Sequence, residues 1–317
     1  MVEQRVQGLT ADMNDKPSAP QATKGRHAAA TGARRLIPYE LTAPALIFVT
    51  VILMLPLLLM LRLSFLRYDA VQMYVEVFTL DNYIKFFKDE FYQNVLWKTL
   101  QVSAVTTILC LIGGIGVAYY MARTRSRILQ RYLIIAIVLP LFMGNVARTA
   151  GWIIILNDGG VLNYLLQTFG ITGEPLRFLY TSGAVITGLT SVLLPYMIVT
   201  LNSVMHNIDV SLEEASLNLG ASALSTFRRI VLPLMAPGIF AGSVLCFILS
   251  MNAYATPILL GGPKFYMMAP TIYTQMSASM NWPFGSALAF ILIGLTMILT
   301  ITSSVIFNRS SRAGLAS

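Results

Sequence analysis

"LEEASLNLGASALSTFRRIVLPLMAPG", residues 212–238, is a charged, punctuated segment set between two long apolar runs. It holds adjacent glutamates, Glu213 and Glu214, and an arginine pair, Arg228 and Arg229. Its local grammar predicts two short helices. Ser211 with Glu214 three residues on is a capping-box pattern. Leu212, Ala215 and Leu219 then share one face, while Glu213 and Asn218 project elsewhere. Gly220 fits the left-handed residue that ends a helix. Ser222 can cap a second helix, which runs through Arg228 and Arg229 toward Ile230. Pro233 is expected to break that helix, and Pro237 precedes the next apolar run. The expected product is a rigid helix–turn–helix knuckle over residues 206–237, joined to a spanning helix. With an exposed polar face it would act as a lever once a partner grips it. A structured connector without a partner fits the same pattern.

The flanking runs set the class of protein. Of 317 residues, 56% are hydrophobic and only 11% charged, against about 25% charged in soluble domains. Mean hydropathy is +0.69. The chain reads as an integral membrane protein. A net charge of +8 could suggest nucleic acid, but the cations lie in short clusters between apolar spans, where topology needs them, so nucleic acid is excluded as a partner. Cys110 and Cys246 sit inside apolar runs without metal-ligand spacing and read as buried thiols. His27 and His206 are isolated, so no metal site is expected.

Six segments reach the ~20 apolar residues that a spanning helix needs. They are 41–66, 95–122, 132–156, 181–205, 238–260 and 284–307. In lipid the backbone must satisfy its own hydrogen bonds, so all six read as helices and the fold class as all-α. Pro44, Pro56, Pro140, Pro195 and Pro257 should kink these helices. Residues 1–35 show no apolar period and read as a disordered tail. The membrane domain is then 36–310, followed by a short tail, 311–317. The first apolar stretch is too long for the h-region of a signal peptide.

Orientation follows from counting Lys and Arg in the flanks. With both termini inside, the inner segments carry fourteen cations and the outer segments five. That count makes the tails and the knuckle cytoplasmic. Outside, "LDNYIKFFKDEF" suggests a short amphipathic helix. Val161, Leu162, Leu165, Leu166 and Phe169 recur at helical spacing after the breaker "NDGG" and suggest a helix along the outer membrane surface, either filler or a docking surface.

"EASLNLGASALSTFRRIVLP" resembles the cytoplasmic signature of bacterial ABC importer permeases, in which E-A-A is followed by G, then I, then L-P at fixed spacings. Glu214, Ala215, Ser216, Gly220, Ile230, Leu232 and Pro233 match those positions, with Ser216 in place of the second alanine. "LPLFMGNVARTAGWIIILNDGGVLN" (139–163) and "NAYATPILLGGPKFYMMAPTIYTQ" (252–275) look like segments of the spermidine/putrescine-type permeases. The resemblance covers about residues 40–308. It implies a type I importer permease fold in a bacterial inner membrane, six spans, and a coupling loop that includes Glu213 and the matched residues. It also implies a second permease (a different chain in this subfamily), two ABC ATPase subunits and an external substrate-binding protein. The chain has no phosphate-loop motif. It is not expected to be an enzyme or to bind a cofactor itself; ATP and Mg belong to the partner ATPases.

Arg148 is the clearest ionisable residue inside a span. Counted from the inner end, it lies near the depth of Asn252, with Trp152 and Tyr254 at the same level. These four could line the translocation path. Alternatively, Arg148 is structural, bonded to carbonyls at a Pro140 kink or to the partner permease. Arg62 and Lys98 read as anchors at the outer interface. No Asp or Glu falls within the six spans, and Arg148 would repel a polycation. The expected cargo is thus a small organic solute, either a polyamine or an opine, amino-acid derivative or organophosphonate. A carrier driven by an ion gradient is the alternative from another class; the paired intramembrane carboxylates common in such carriers are missing.

Overall fold

The computed structural model describes residues 37–314; the proposed N-terminal tail lies outside them. The chain divides into two units at Leu58/Leu59. Helix α1 (Ile37–Ser64) begins in the first and ends in the second. An antiparallel hairpin follows, β1 (Leu66–Asp69) and β2 (Met73–Phe78). Next come α2 (Asp81–Lys88), α3 (Glu90–Arg123), α4 (Arg127–Phe142), α5 (Asn145–Leu156) and α6 (Val161–Thr168). Helix α7 (Ser182–Met205) leads into the knuckle: α8 (Val210–Asn218), α9 (Ala223–Thr226), a π-turn (Phe227–Val231) and α10 (Leu232–Leu234). The chain closes with α11 (Ala236–Met251), α12 (Ala255–Gly261), α13 (Met268–Ser277) and α14 (Trp282–Gly314). The last helix runs through residues 311–314.

Among the described residues, four stretches are single helices long and apolar enough to cross a membrane: 43–64 in α1, α3, α7 and 282–305 in α14. Two more spans are bent pairs, α4 with α5–α6 at 103° and α9–α10 with α11 at 67°, giving six if each pair counts as one. The all-α class therefore holds with one addition, the hairpin. It forms because Asp69 Oδ1 accepts from the N–H groups of Val71 and Gln72, both at 2.8 Å, which closes an Asx turn. Those two donors hold the Asp69 carboxyl below its usual range.

Four of the five prolines lie inside continuous helices rather than at the breaks. Helices α1 and α7 continue through Pro44, Pro56 and Pro195, and α4 through Pro140. The sharp bend falls three residues beyond Pro140, where Met143 and Gly144 are extended. The expected helix at 132–156 is thus two helices. That at 238–260 stops at Met251, and the chain restarts helical at Ala255. A hydropathy count sees apolar length but not the two or three residues that leave the helical region.

The core is built on α3, α7 and α11, which pack on one another. Met197 of α7 is fully buried between two glycines. A Cβ added at Gly114 of α3 would come within 2.6 Å of Met197 Cγ, and one at Gly242 of α11 within 2.6 Å of its Sδ. Small residues let the helices close to this distance, which favours packing where lipid offers no hydrophobic drive. Cys110 and Cys246 are buried in this core, their thiols directed at the carbonyls of Thr190 and Leu193 at 3.7 Å. A second apolar cluster joins α2, α3, α13 and α14 around Phe86, Met268 and Phe284. Thr99 Oγ1 on α3 accepts from Met268 N at 2.9 Å and pins the start of α13.

Candidate functional site: a two-helix knuckle and a cavity at the helix breaks

The knuckle forms as two helices, with changes of detail that matter. Asp209, not Ser211, caps α8: its carboxylate accepts from Ser211 N at 2.9 Å. Ser211 already lies in the first turn, so the expected Ser211–Glu214 box does not form. At the other end, Gly220 takes φ +85°. Its N–H bonds Leu217 O at 2.9 Å, and Ala221 N bonds Ser216 O at 3.2 Å. These two bonds are the Schellman pattern that the sequence predicts. Ser222 caps the second helix, with its Oγ 3.3 Å from Ser225 N. Pro233 has no N–H to return to Arg229, and the preceding turn widens to π geometry. Helical structure nonetheless resumes at Leu232–Leu234, so Pro233 does not end it; the bend comes at Met235.

Leu212, Ala215 and Leu219 are all exposed, and of the two residues expected on other faces Glu213 points inward and Asn218 outward. Glu213 is buried, while Leu212, Leu217 and Leu219 are exposed, Leu219 at 89%. Glu214 and Ala215 face outward as well. Glu213 is turned inward by Arg123, at the end of α3. The Arg123 Nη2 to Glu213 Oε1 distance is 2.6 Å, and Tyr119 OH donates to Oε2 at 3.0 Å. Ser216, the one departure from the signature, is half-buried, and its hydroxyl meets that of the buried Thr226 at 2.9 Å. That contact ties α8 to α9. Ile230 and Leu232 are half-buried in the π-turn and α10, whereas Pro233 is exposed. The outward face thus combines Glu214 with leucines that the bundle does not cover. Apolar side chains in this density mark a contact surface.

The second site is a cavity of about 370 Å³ at the two helix breaks. Its lining includes Asn145, Val192, Tyr196, Asn252, Tyr254 and Thr256. Asn145 opens α5 just after the bend, and Asn252 and Tyr254 lie in the break between α11 and α12. Asn252 Nδ2 returns to Ile248 O at 2.9 Å, which leaves its carbonyl oxygen as the free acceptor. Tyr254 packs against Tyr273 with centroids 4.7 Å apart. Beneath the cavity, the hydroxyls of Thr149 and Thr256 meet at 3.1 Å and join α5 to α12.

Arg148 stands at the edge of this cavity. Its Nη2 donates to Asn145 Oδ1 at 2.6 Å and its Nη1 to Val192 O at 3.4 Å, while the buried Nε has no partner. The carbonyl it uses belongs to the facing helix α7, not to a Pro140 kink. Depth counted along one straight helix does not apply across a 103° bend. Trp152 is placed elsewhere: its indole N–H donates to Ser191 Oγ at 2.7 Å within the bundle. The structure therefore brings Asn252 and Tyr254 together, sets Arg148 beside them, and separates Trp152. Sequence reasoning missed Asn145 and Tyr196. The available signal for Asn145 was Gly144, a break inside an apolar run. Lys98 does not reach outward alone; its Nζ lies 4.2 Å from the centre of the Phe265 ring. Arg62 pairs with Glu76 at 2.7 Å, and both side chains are exposed. Among the described residues, no group of three or more His, Cys, Asp or Glu could hold a metal.

Helices long and apolar enough to cross a membrane, bent beside a cavity and joined by a structured knuckle, are the build of a multi-pass membrane protein. Residues 110–313 match the family described as the binding-protein-dependent transport system inner membrane component. The chain is 36% identical over 255 residues to the spermidine/putrescine transport system permease protein PotB of Haemophilus influenzae, covering 80% of this chain and 87% of that one. It is 34% identical over 258 residues to PotB of Escherichia coli, covering 80% and 93%. A bacterial ABC transporter involved in the import of the acidic polysaccharide alginate has a similar fold, with TM-score 0.74 and 17% identity over 87% of this chain and 96% of that one. The chain belongs to the binding-protein-dependent transport system inner membrane component family and is an ABC importer permease, a transport subunit and not an enzyme.

Proposed function

We propose that this chain forms half of the pore of an ATP-driven importer in a bacterial inner membrane and that the knuckle is its socket for an ABC ATPase. The observation that carries this reading is the outward face of α8, where Glu214 stands among uncovered leucines. A second permease chain, two ATPase subunits holding ATP and Mg, and an external binding protein complete the complex. Both termini and the knuckle then lie in the cytoplasm, supported by the excess of cations in those segments. Closure of the ATPases would draw the knuckles together and swing the helices attached to them. The test is copurification and uptake. Glu214→Ala should insert and fold normally but lose substrate-stimulated ATP hydrolysis and uptake; normal uptake by that variant refutes the socket.

The cargo proposed is a polyamine. Likeness to permeases named for spermidine and putrescine supports it, and so does the cavity chemistry. The amide carbonyl of Asn252 and the Tyr254–Tyr273 pair can meet alkyl ammonium groups without a carboxylate. The guanidinium of Arg148 is drawn aside onto Asn145 and Val192 O. One observation favours a second reading: the Arg148 guanidinium, held beside the cavity on Asn145 and Val192, suits a cargo with a carboxylate or phosphonate, such as an opine, an amino-acid derivative or an organophosphonate. Reconstituted complex with its binding protein separates the two. Polyamine cargo predicts saturable spermidine or putrescine uptake that survives Arg148→Ala. Anionic or zwitterionic cargo predicts that the same variant abolishes uptake and that polyamines do not compete.

A further inference from the structure

Glu213 has no role in a signature read from spacing, because the matched glutamate is Glu214. Its surroundings are unusual for a nine-residue helix on the surface. The Arg123–Glu213 pair is largely removed from solvent, with side-chain exposures of 16% and 9%. Among the described residues, the other ion pair, Arg62–Glu76, is exposed. Arg123 Nε donates to Glu213 Oε1 at 2.8 Å, and Arg123 Nη2 also reaches Ile208 O at 3.2 Å in the link between α7 and α8. Tyr119, one turn earlier on α3, donates to the second carboxylate oxygen at 3.0 Å. Its ring also meets Phe227 of the π-turn edge-on, with centroids 5.4 Å apart. One turn of α3 therefore grips three parts of the knuckle: the entering link, the first helix and the π-turn.

Burying an ion pair is a poor way to gain stability, since the desolvation cost offsets the attraction and an apolar pair can serve as well. What the arrangement supplies is register. Arg123 Nε and Nη2 converge on Glu213 Oε1 while Tyr119 holds Oε2, which fixes the carboxylate's position and orientation as apolar packing does not. The remaining face of α8 is turned outward, and its tie to α9 is the Ser216–Thr226 hydroxyl contact. Force applied to α8 reaches α3 through the Arg123–Glu213–Tyr119 network.

We infer that Arg123, Glu213 and Tyr119 are positioning residues that transmit movement of the knuckle to α3, and so set how much transport each ATP delivers. The inference rests on the knuckle being the ATPase socket. The experiment compares wild type, Arg123→Gln, Glu213→Gln, Arg123→Lys and the swap Arg123→Glu/Glu213→Arg in the full complex in proteoliposomes. The readouts are ATPase recovered with the permease, ATP hydrolysis, and uptake per ATP. Expected for both Gln variants is normal ATPase recovery with continuing hydrolysis, and uptake per ATP down by about tenfold or more. Arg123→Lys and the swap should recover part of the loss. Uptake per ATP within about twofold of wild type in both Gln variants overturns the inference. Loss of ATPase recovery in both also overturns it, because the pair would then only build the socket. If the Gln variants do not accumulate, the swap decides: a folded swap with no more uptake per ATP than about a tenth of wild type overturns it. A wild-type chain that recovers no ATPase instead refutes the socket reading on which the inference stands.

Discussion

Gly220 allows the knuckle to be tested by backbone conformation alone. It stands at φ +85° where α8 ends, and a Cβ built there meets nothing within 4 Å. Substitution therefore costs the left-handed backbone and no internal clash. For an ordinary L-residue that cost is about 1–2 kcal/mol, and it is smaller for asparagine, which visits this region more readily. If the Schellman bonds at Leu217 and Ser216 are lost when the turn relaxes, about 1–2 kcal/mol shifts the ratio of capped to frayed knuckle by a factor of about 5–30. Transport that requires the capped form should fall by up to that factor, reaching it only where the frayed form comes to dominate. The predicted order of uptake is Gly, then Asn, then Ala, then Val, since a β-branched residue tolerates positive φ least. Uptake in proteoliposomes, normalised to permease recovered from the membrane, reads this order directly. Asparagine is bulkier than alanine, so the order separates two causes. Uptake that declines by side-chain size, with Ala better than Asn, would show that contact with a partner governs the site and would refute the conformational argument. An alanine variant equal to wild type would refute it too.

Ser216→Ala restores the residue usual in the signature but leaves the buried Thr226 hydroxyl without its 2.9 Å partner, so a loss of about 1 kcal/mol in thermal or denaturant stability is expected, with uptake little changed. Gly188→Leu should fail in the membrane core, because even a Cβ there collides with Leu260 and comes within 2.8 Å of Thr256 Cγ2. Overpacking of about 1–3 kcal/mol should appear as lower detergent-resistant yield, whereas Gly151→Ala, with open space around its Cβ, should behave as wild type. Asp209 has its carboxyl below the usual range because it accepts from Ser211 N, the largest cause, and from the Ser211 side chain. A depressed folded-state value means the cap's contribution is complete above the ordinary carboxylate pKa and is lost as pH falls through the lower, folded value. The protection factor of the Ser211 amide, corrected for the intrinsic slowing of exchange in acid, should fall on acidification, and Asp209→Asn, which keeps an acceptor but does not titrate, should remove that dependence.

Most of the large-scale architecture was legible in the sequence. Long runs with almost no charge force helices in lipid, and Gly220 and Ser222 divide a two-helix knuckle wherever it sits. The signature spacing carried the family. What the pattern did not carry was direction. Periodicity groups Leu212 with Leu219 but does not say whether that face meets the bundle or a partner, and here it meets neither α3 nor α7. Two adjacent glutamates look alike in sequence; only Arg123, ninety residues earlier, distinguishes the inward one. Trp152 and Arg148 lie one turn apart, yet one bonds Ser191 inside the bundle and the other borders the cavity. The hairpin at 66–78 escaped because its strands are short and its closure depends on a single Asp69 side chain.

The sequence by itself determined that this chain crosses a membrane in apolar helices and carries the importer signature, because hydropathy, caps and spacing are local properties. The tertiary structure alone decided where the helices break, which residues share the cavity, and that α3 grips the knuckle through Arg123, Tyr119 and Glu213. Those are contacts between residues distant in the chain. They depend on how close Gly114 and Gly242 let the helices approach Met197, which no local pattern encodes.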